Sequence, residues 1–179
     1  MKINKLIALA SIALFFCVNT YAQSSENETS VENEYMSSME DIVIMEMANS
    51  DQRDNKLVAL QYLEAAADNG NVSPDMIQAL NQLSGEGIST QSRTKGRLSN
   101  NYPDVRAKAC DILGKVGNEE AVHILTTVVK NDNEPWVLTS AVRALGEIGS
   151  NEDDKVTETI AFISNRVEIL NPTSSLANE

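Results

Sequence analysis

The sequence predicts an all-α fold, a short α-solenoid of about three stacked helix pairs with one further helix in front of them. Three observations predict it. From 53 to 170 the chain alternates apolar-periodic segments of 10–16 residues with short breaks, and no segment pairs strand alternation with turn punctuation. Residues 103–117, PDVRAKACDILGKVG, align with residues 135–149, PWVLTSAVRALGEIG, at an offset of 32. Helices joined by breaks of only a few residues must pack as antiparallel neighbours.

Taken in order, residues 1–22 read as a secretory signal. Lys2 and Lys5 form its positive start, Leu6 to Val18 its apolar stretch of 13 residues, and Thr20-Tyr21-Ala22 a cleavage site before Gln23. Thirteen apolar residues are too few to span a bilayer. Phe15 and Phe16 stand where a lipoprotein signal needs small residues before its cysteine, so Cys17 is not read as a lipid anchor. The expectation is an exported protein, periplasmic or secreted, with no membrane insertion after cleavage. Residues 23–34 hold four Glu, no basic residue and one apolar side chain, and read as an acidic flexible linker. Met36, Met39, Ile42 or Val43, and Met47 recur at helical spacing, which predicts a helix over about 35–48 with the methionines as core filler.

Further helices are expected at 53–67, 74–84, 103–116, 119–130, 135–148 and 153–169. In the two aligned segments each repeated position has a physical task. Pro103 and Pro135 suit a first helical turn, where the missing amide hydrogen has no partner to lose. Val105, Ala109, Ile112 and Val116, like Val137, Ala141, Ala144 and Ile148, share one helical face. Gly117 and Gly149 stand where a helix ends in the left-handed conformation. Asn118-Glu119-Glu120, and Ser150 through Asp154, then supply a cap and acids to the next helix N-terminus. Ala121, Ile124, Leu125 and Val128 form the second helix's stripe, with Ile160, Ile163 and Val167 doing the same in the last. One pair of about 32 residues cannot bury its own stripe, so pairs must stack.

The string D-V-R-x-x-A-x-x-x-L-G-x-x-G, carried by Asp104-Val105-Arg106, Ala109, Leu113-Gly114 and Gly117, resembles a HEAT repeat of the PBS-lyase-like subclass. The likeness is close over 103–130 and 135–167, where Leu138 replaces the expected Arg, and fainter over 53–84, where Glu64 replaces the Gly. It extends over 35–170. The resemblance implies a short right-handed α-solenoid of about three HEAT-like helix pairs plus an N-terminal helix, used as a binding scaffold whose second helices line the concave face. It also implies a rival, an accessory to a lyase-type enzyme. Residues 171–179, with Pro172, resemble the break and first turn of another repeat, either a polar cap or the start of a truncated longer solenoid, and the unfinished repeat also suits a larger assembly.

Composition narrows the function. The net charge is −12, and losing residues 1–22 takes away Lys2 and Lys5 but no acid, which lowers it to −14. Such a chain repels phosphate backbones, so no nucleic-acid partner is expected. One His and, after cleavage, only Cys110 leave no material for a metal site, a disulfide framework or an imidazole base. Cys110, among Ala107, Ala109 and Ile112, is expected to be buried, and His123 to be a partly exposed helix residue. With 4% aromatics, an aromatic-cofactor pocket is disfavoured. No catalytic residue, cofactor or metal ligand is assigned, and the expectation is a non-enzymatic protein-protein interaction module, with self-association through an open end as its rival. Arg106 and Arg143 are expected to pair with Asp104, Asp111 or Glu147.

Two features stand out as candidate partner-binding residues. The long loop 85–102 carries Arg93, Lys95 and Arg97 in an otherwise acidic chain. Trp136, the only tryptophan, falls at the register of Asp104, a water-facing position in a first helical turn.

Overall fold

The computed structural model describes residues 31–149 and 154–170. Seven helices follow one another: α1 Val31–Asn49, α2 Arg53–Asp68, α3 Pro74–Ser84, α4 Pro103–Val116, α5 Glu119–Asn131, α6 Pro135–Ile148 and α7 Lys155–Leu170. Between α3 and α4 lies a small antiparallel hairpin, β1 Arg93–Thr94 and β2 Arg97–Leu98. The expected signal segment, most of the expected linker, residues 150–153 of the expected cap and residues 171–179 lie outside the described residues.

The chain divides into two compact units, Met1–Met39 and Glu40–Glu179. In the first, the described residues form the start of α1, where Tyr35, Met36 and Met39 are exposed. The helix begins at Val31, so residues 31–34 are not linker. Nor are Met36 and Met39 core filler, and Ile42 and Val43 face water with them. The buried face of α1 is set by Ile44 and Ala48 instead, three to four residues apart.

In the second unit the helices stack in two rows, α2–α4–α6 and α3–α5–α7, with α2/α3 and α4/α5 in contact as pairs and α7 packed on α5. The boundaries follow local chemistry. Pro74, Pro103 and Pro135 open α3, α4 and α6. The Ser73 hydroxyl accepts from the Met76 amide at 3.1 Å, and the Asn118 side chain from the Ala121 amide at 2.8 Å. Gly117 and Gly149 end α4 and α6 at φ 66° and 65°, where a Cβ would be strained.

One apolar core runs through the stack, from Leu60, Leu63 and Leu80 through Val105, Ala109, Ile112, Ala121, Leu125 and Val128 to Val137, Ala141, Ala144 and Ile163. Ile160 departs from the expected stripe. It is exposed, and Val156 and Thr159 are buried with Ile163 in its place. The row α2–α4–α6 closes in two different ways. Across α4 and α6 the approach is close: a Cβ on Gly114 would sit 3.0 Å from the Ala144 Cβ. Across α2 and α4, where Glu64 holds the register of Gly114, charges bridge the seam. Glu64 accepts from Lys108 at 2.6 Å and Lys115 at 2.9 Å, and Arg53 reaches Asp104 at 2.5 Å.

Candidate interaction surfaces

The insert between α3 and α4 is not a plain solvated loop. It contains the hairpin, whose strands of two residues are too short to leave an alternation in the sequence. Arg93 stands opposite Leu98 and Thr94 opposite Arg97. Lys95 and Gly96 form the turn with φ 52° and 81°, the paired positive values of a tight two-residue hairpin.

A buried polar network fixes the base of this insert. The Lys56 ammonium donates to the Glu86 carboxylate at 2.8 Å and to the Ala48 carbonyl at 2.8 Å. Asn100 Nδ2 donates to the other Glu86 oxygen and to the Thr90 carbonyl, each at 2.7 Å, while Asn100 Oδ1 accepts from the Ser92 amide at 2.9 Å. Gly87, at φ 75°, lies so close to the next pass of the chain that a Cβ would fall 2.4 Å from the Asn100 carbonyl oxygen. The Arg106 guanidinium then takes the Glu86 carbonyl at 3.1 Å and Asn101 Oδ1 at 2.9 Å, and meets Asp132 at 2.6 Å. Asp132 in turn accepts from the Asn133 and Glu134 amides at 2.7 and 2.9 Å, at the entrance to α6. Among the described residues no buried side-chain nitrogen or oxygen lacks a partner. A network satisfied in this way rigidifies what it touches.

Sequence reasoning missed this spine. Arg106 does not pair with Asp104 or Asp111; Asp104 is taken by Arg53, and Arg106 turns inward to Asp132. Arg143 does bond Asp111, at 3.0 Å. The available signal was the repeat register: Lys56 and Arg106 share one position, and each finds a carboxylate just past the second helix of its own pair. Leu138 closes the series with an apolar side chain.

Six cations of the helical rows are neutralised within the fold, and the three cations of the insert are not. Arg53, Lys56, Arg106, Lys108, Lys115 and Arg143 each meet a carboxylate. Among the described residues Arg93, Lys95 and Arg97 form no ion pair, and Arg93 bonds only the neutral Gln91 side chain, at 3.1 Å. All three are exposed.

Trp136 lies in the first turn of α6 and is 58% exposed. A small cleft opens between α3 and α5, walled by Asn81, Ser84, Ile88, Ser89, Thr127 and Asn131. Cys110 is a fully buried free thiol, pushed far above the usual thiol range chiefly by burial. His123 is exposed on α5. Among the described residues no cluster of His, Cys, Asp and Glu is placed to hold a metal ion, and no helix is long and apolar enough to cross a membrane.

Comparison with known proteins agrees with the repeat. A family model of HEAT repeats matches residues 92–160, from the hairpin to the first turns of α7, so this stretch is similar to HEAT-repeat proteins. No curated protein and no solved structure matches the chain.

Proposed function

We propose that this protein is a non-enzymatic scaffold of HEAT-like repeats, of the PBS-lyase-like kind, exported from the cell and docking a protein partner. HEAT repeats commonly serve as interaction scaffolds, and the buried acids and bases Lys56, Glu86, Arg106 and Asp132 are occupied in holding the stack. The observation that carries the reading is Trp136. A large aromatic side chain is held 58% exposed at a register where the preceding repeat places the ion-paired Asp104. Exposed tryptophans are over-represented among residues that dominate binding energy.

Placing a photo-crosslinking residue at position 136 in the cells that make the protein tests this. A discrete heterologous adduct is the expected result. A folded, abundant protein that gives no adduct removes Trp136 from the binding surface. The same material tests export, which predicts a mature chain starting at Gln23.

A second reading, assembly through the open end of the stack, is favoured by Gly146. It occupies the register of Gly114, yet a Cβ there would meet nothing within 4 Å. Self-crosslinks and a mass in solution that rises with concentration would support that reading over the first.

A further inference from the structure

In a chain of net charge −12, three neighbouring cations without a carboxylate are an anomaly. Acids are abundant, and six cations of the helical rows have each found one, while among the described residues Lys130 and Arg166 stand singly without one rather than clustered. The hairpin residues have not, because the turn carries them away from the rows while the Glu86–Asn100 clasp holds the base of the insert in place.

The backbone adds an independent observation. Lys95 stands at φ 52°, a conformation that a lysine adopts at a cost and that Asn, Asp or Gly would occupy more cheaply. A strained residue persists where its surroundings over-determine it, and such residues gather at functional sites. Here the strain keeps a positive charge at the outermost point of the insert.

The geometry also selects the kind of anion. Arg93 and Arg97 alternate to opposite faces of the two-stranded ribbon, and Lys95 occupies the turn between them. Charges spread in this way do not converge on one small anion; they suit an extended segment with several carboxylates. A dense polyanion or an anionic membrane would bring its field against the whole acidic body. A short acidic stretch engages the hairpin alone, since repulsion beyond about 8 Å is screened at physiological ionic strength.

We infer that the hairpin is a rigidly mounted cationic finger that docks an acidic segment of a protein partner through Arg93, Lys95 and Arg97. The inference rests on the scaffold reading and names the partner chemistry at one of its surfaces.

The test is fluorescence anisotropy of the full chain with a labelled peptide rich in Glu and Asp, at low and at physiological salt. Binding is expected at low salt, weakening as salt rises. The R93E/K95E/R97E variant should bind at least about tenfold more weakly, since like charges set opposite one another are costly. Lys95→Gly separates charge from conformation. It relieves the turn, so its thermal midpoint should hold or rise while peptide binding falls. Circular dichroism should show all variants folded.

Absence of peptide binding at low salt would overturn the inference, as would equal binding by the wild type and both variants. Tighter hairpin-dependent binding to a DNA duplex or to vesicles of anionic lipid would overturn the partner class. A protein captured from position 136 beside a failed peptide titration would leave the scaffold reading standing and remove the finger alone.

Discussion

Among the described residues Arg106 is the largest side chain with almost no access to water, and it is held by Asp132, Asn101 and the Glu86 carbonyl together. Removing one member of a buried ion pair leaves an uncompensated charge and costs about 3–5 kcal/mol, whereas replacing both partners with apolar groups is often neutral. Arg106→Leu, which copies the residue at the third repeat position, should therefore lower stability by about 3 kcal/mol in urea unfolding. Arg106→Leu with Asp132→Asn should recover part of the loss, because the Asn133 and Glu134 amides still find an acceptor. A single variant within about 0.5 kcal/mol of wild type would show that the pair is solvated in solution. Cys110 yields a second expectation. Its burial raises the thiol far from the range where thiolate forms, so the native protein should resist a thiol-reactive reagent and react only as it unfolds. At this scale the sequence is legible where the environment is local. Ala107, Ala109 and Ile112 announce the burial of Cys110, whereas the Arg106 partner is 26 residues away, beyond a whole helix, and only the repeat register relates them.

Gly114 and Gly146 share a register but face different surroundings, which lets one substitution be read twice. At Gly114 an added methyl would meet Ala144 Cβ at 3.0 Å and its Cα at 3.1 Å, backbone and a stub that cannot rotate away. Gly114→Ala should force α4 and α6 apart and cost about 1–3 kcal/mol, the range for overpacking. Gly146→Ala meets open space within a helix and should stabilise by about 0.5–1 kcal/mol, because alanine is the better helix former. Paired thermal melts check both, and matching signs would mean that the α4–α6 seam is looser than its geometry. Helices themselves were the most legible elements, since cap and period agree over 74–84 and 103–131, at Ser73, Pro103, Gly117 and Asn118. The hairpin was not legible, because Lys95-Gly96 is an uncommon turn pair and two residues per strand display no period. The start of α1 was misread for a related reason: a run of methionines at helical spacing marks a helix but does not say which face is buried, and Ile44 with Ala48 claims it.

The stack as a whole is held by unlike seams, and this sets the order in which it should open. Between α2 and α4 the contact depends on Glu64 with Lys108 and Lys115, Asp68 with Lys115, and Arg53 with Asp104. Between α4 and α6 it depends on the close apolar approach at Gly114, with the Asp111–Arg143 pair beside it. Hydrogen bonds from Lys108 and then Lys115 hold the Glu64 carboxyl below the usual range, and Asp68 followed by Glu64 raises Lys115 above its own. For Glu64 the folded pKa is the lower one, so its contribution is complete above the unfolded value of about 4.3 and is lost as pH falls through the folded value. For Lys115 the folded pKa is the higher one, so its contribution is complete below about 10.4 and is lost as pH rises through the folded value. Both groups are partly solvated, so salt should weaken the same seam. Repeat stacks open by neighbouring interfaces rather than all at once. On acidification below the carboxylate range, α2 and α3 should thus lose amide protection before α4, α5 and α6, most clearly in added salt. Hydrogen exchange read by mass spectrometry, corrected for intrinsic rates, resolves the two groups of peptides. Glu64→Gln should make α2 and α3 open at neutral pH much as acid does in the wild type, and should flatten their response to acid. Simultaneous loss of protection across all the helices would mean that the buried Lys56–Glu86–Arg106–Asp132 spine couples the pairs more strongly than the exposed charges separate them.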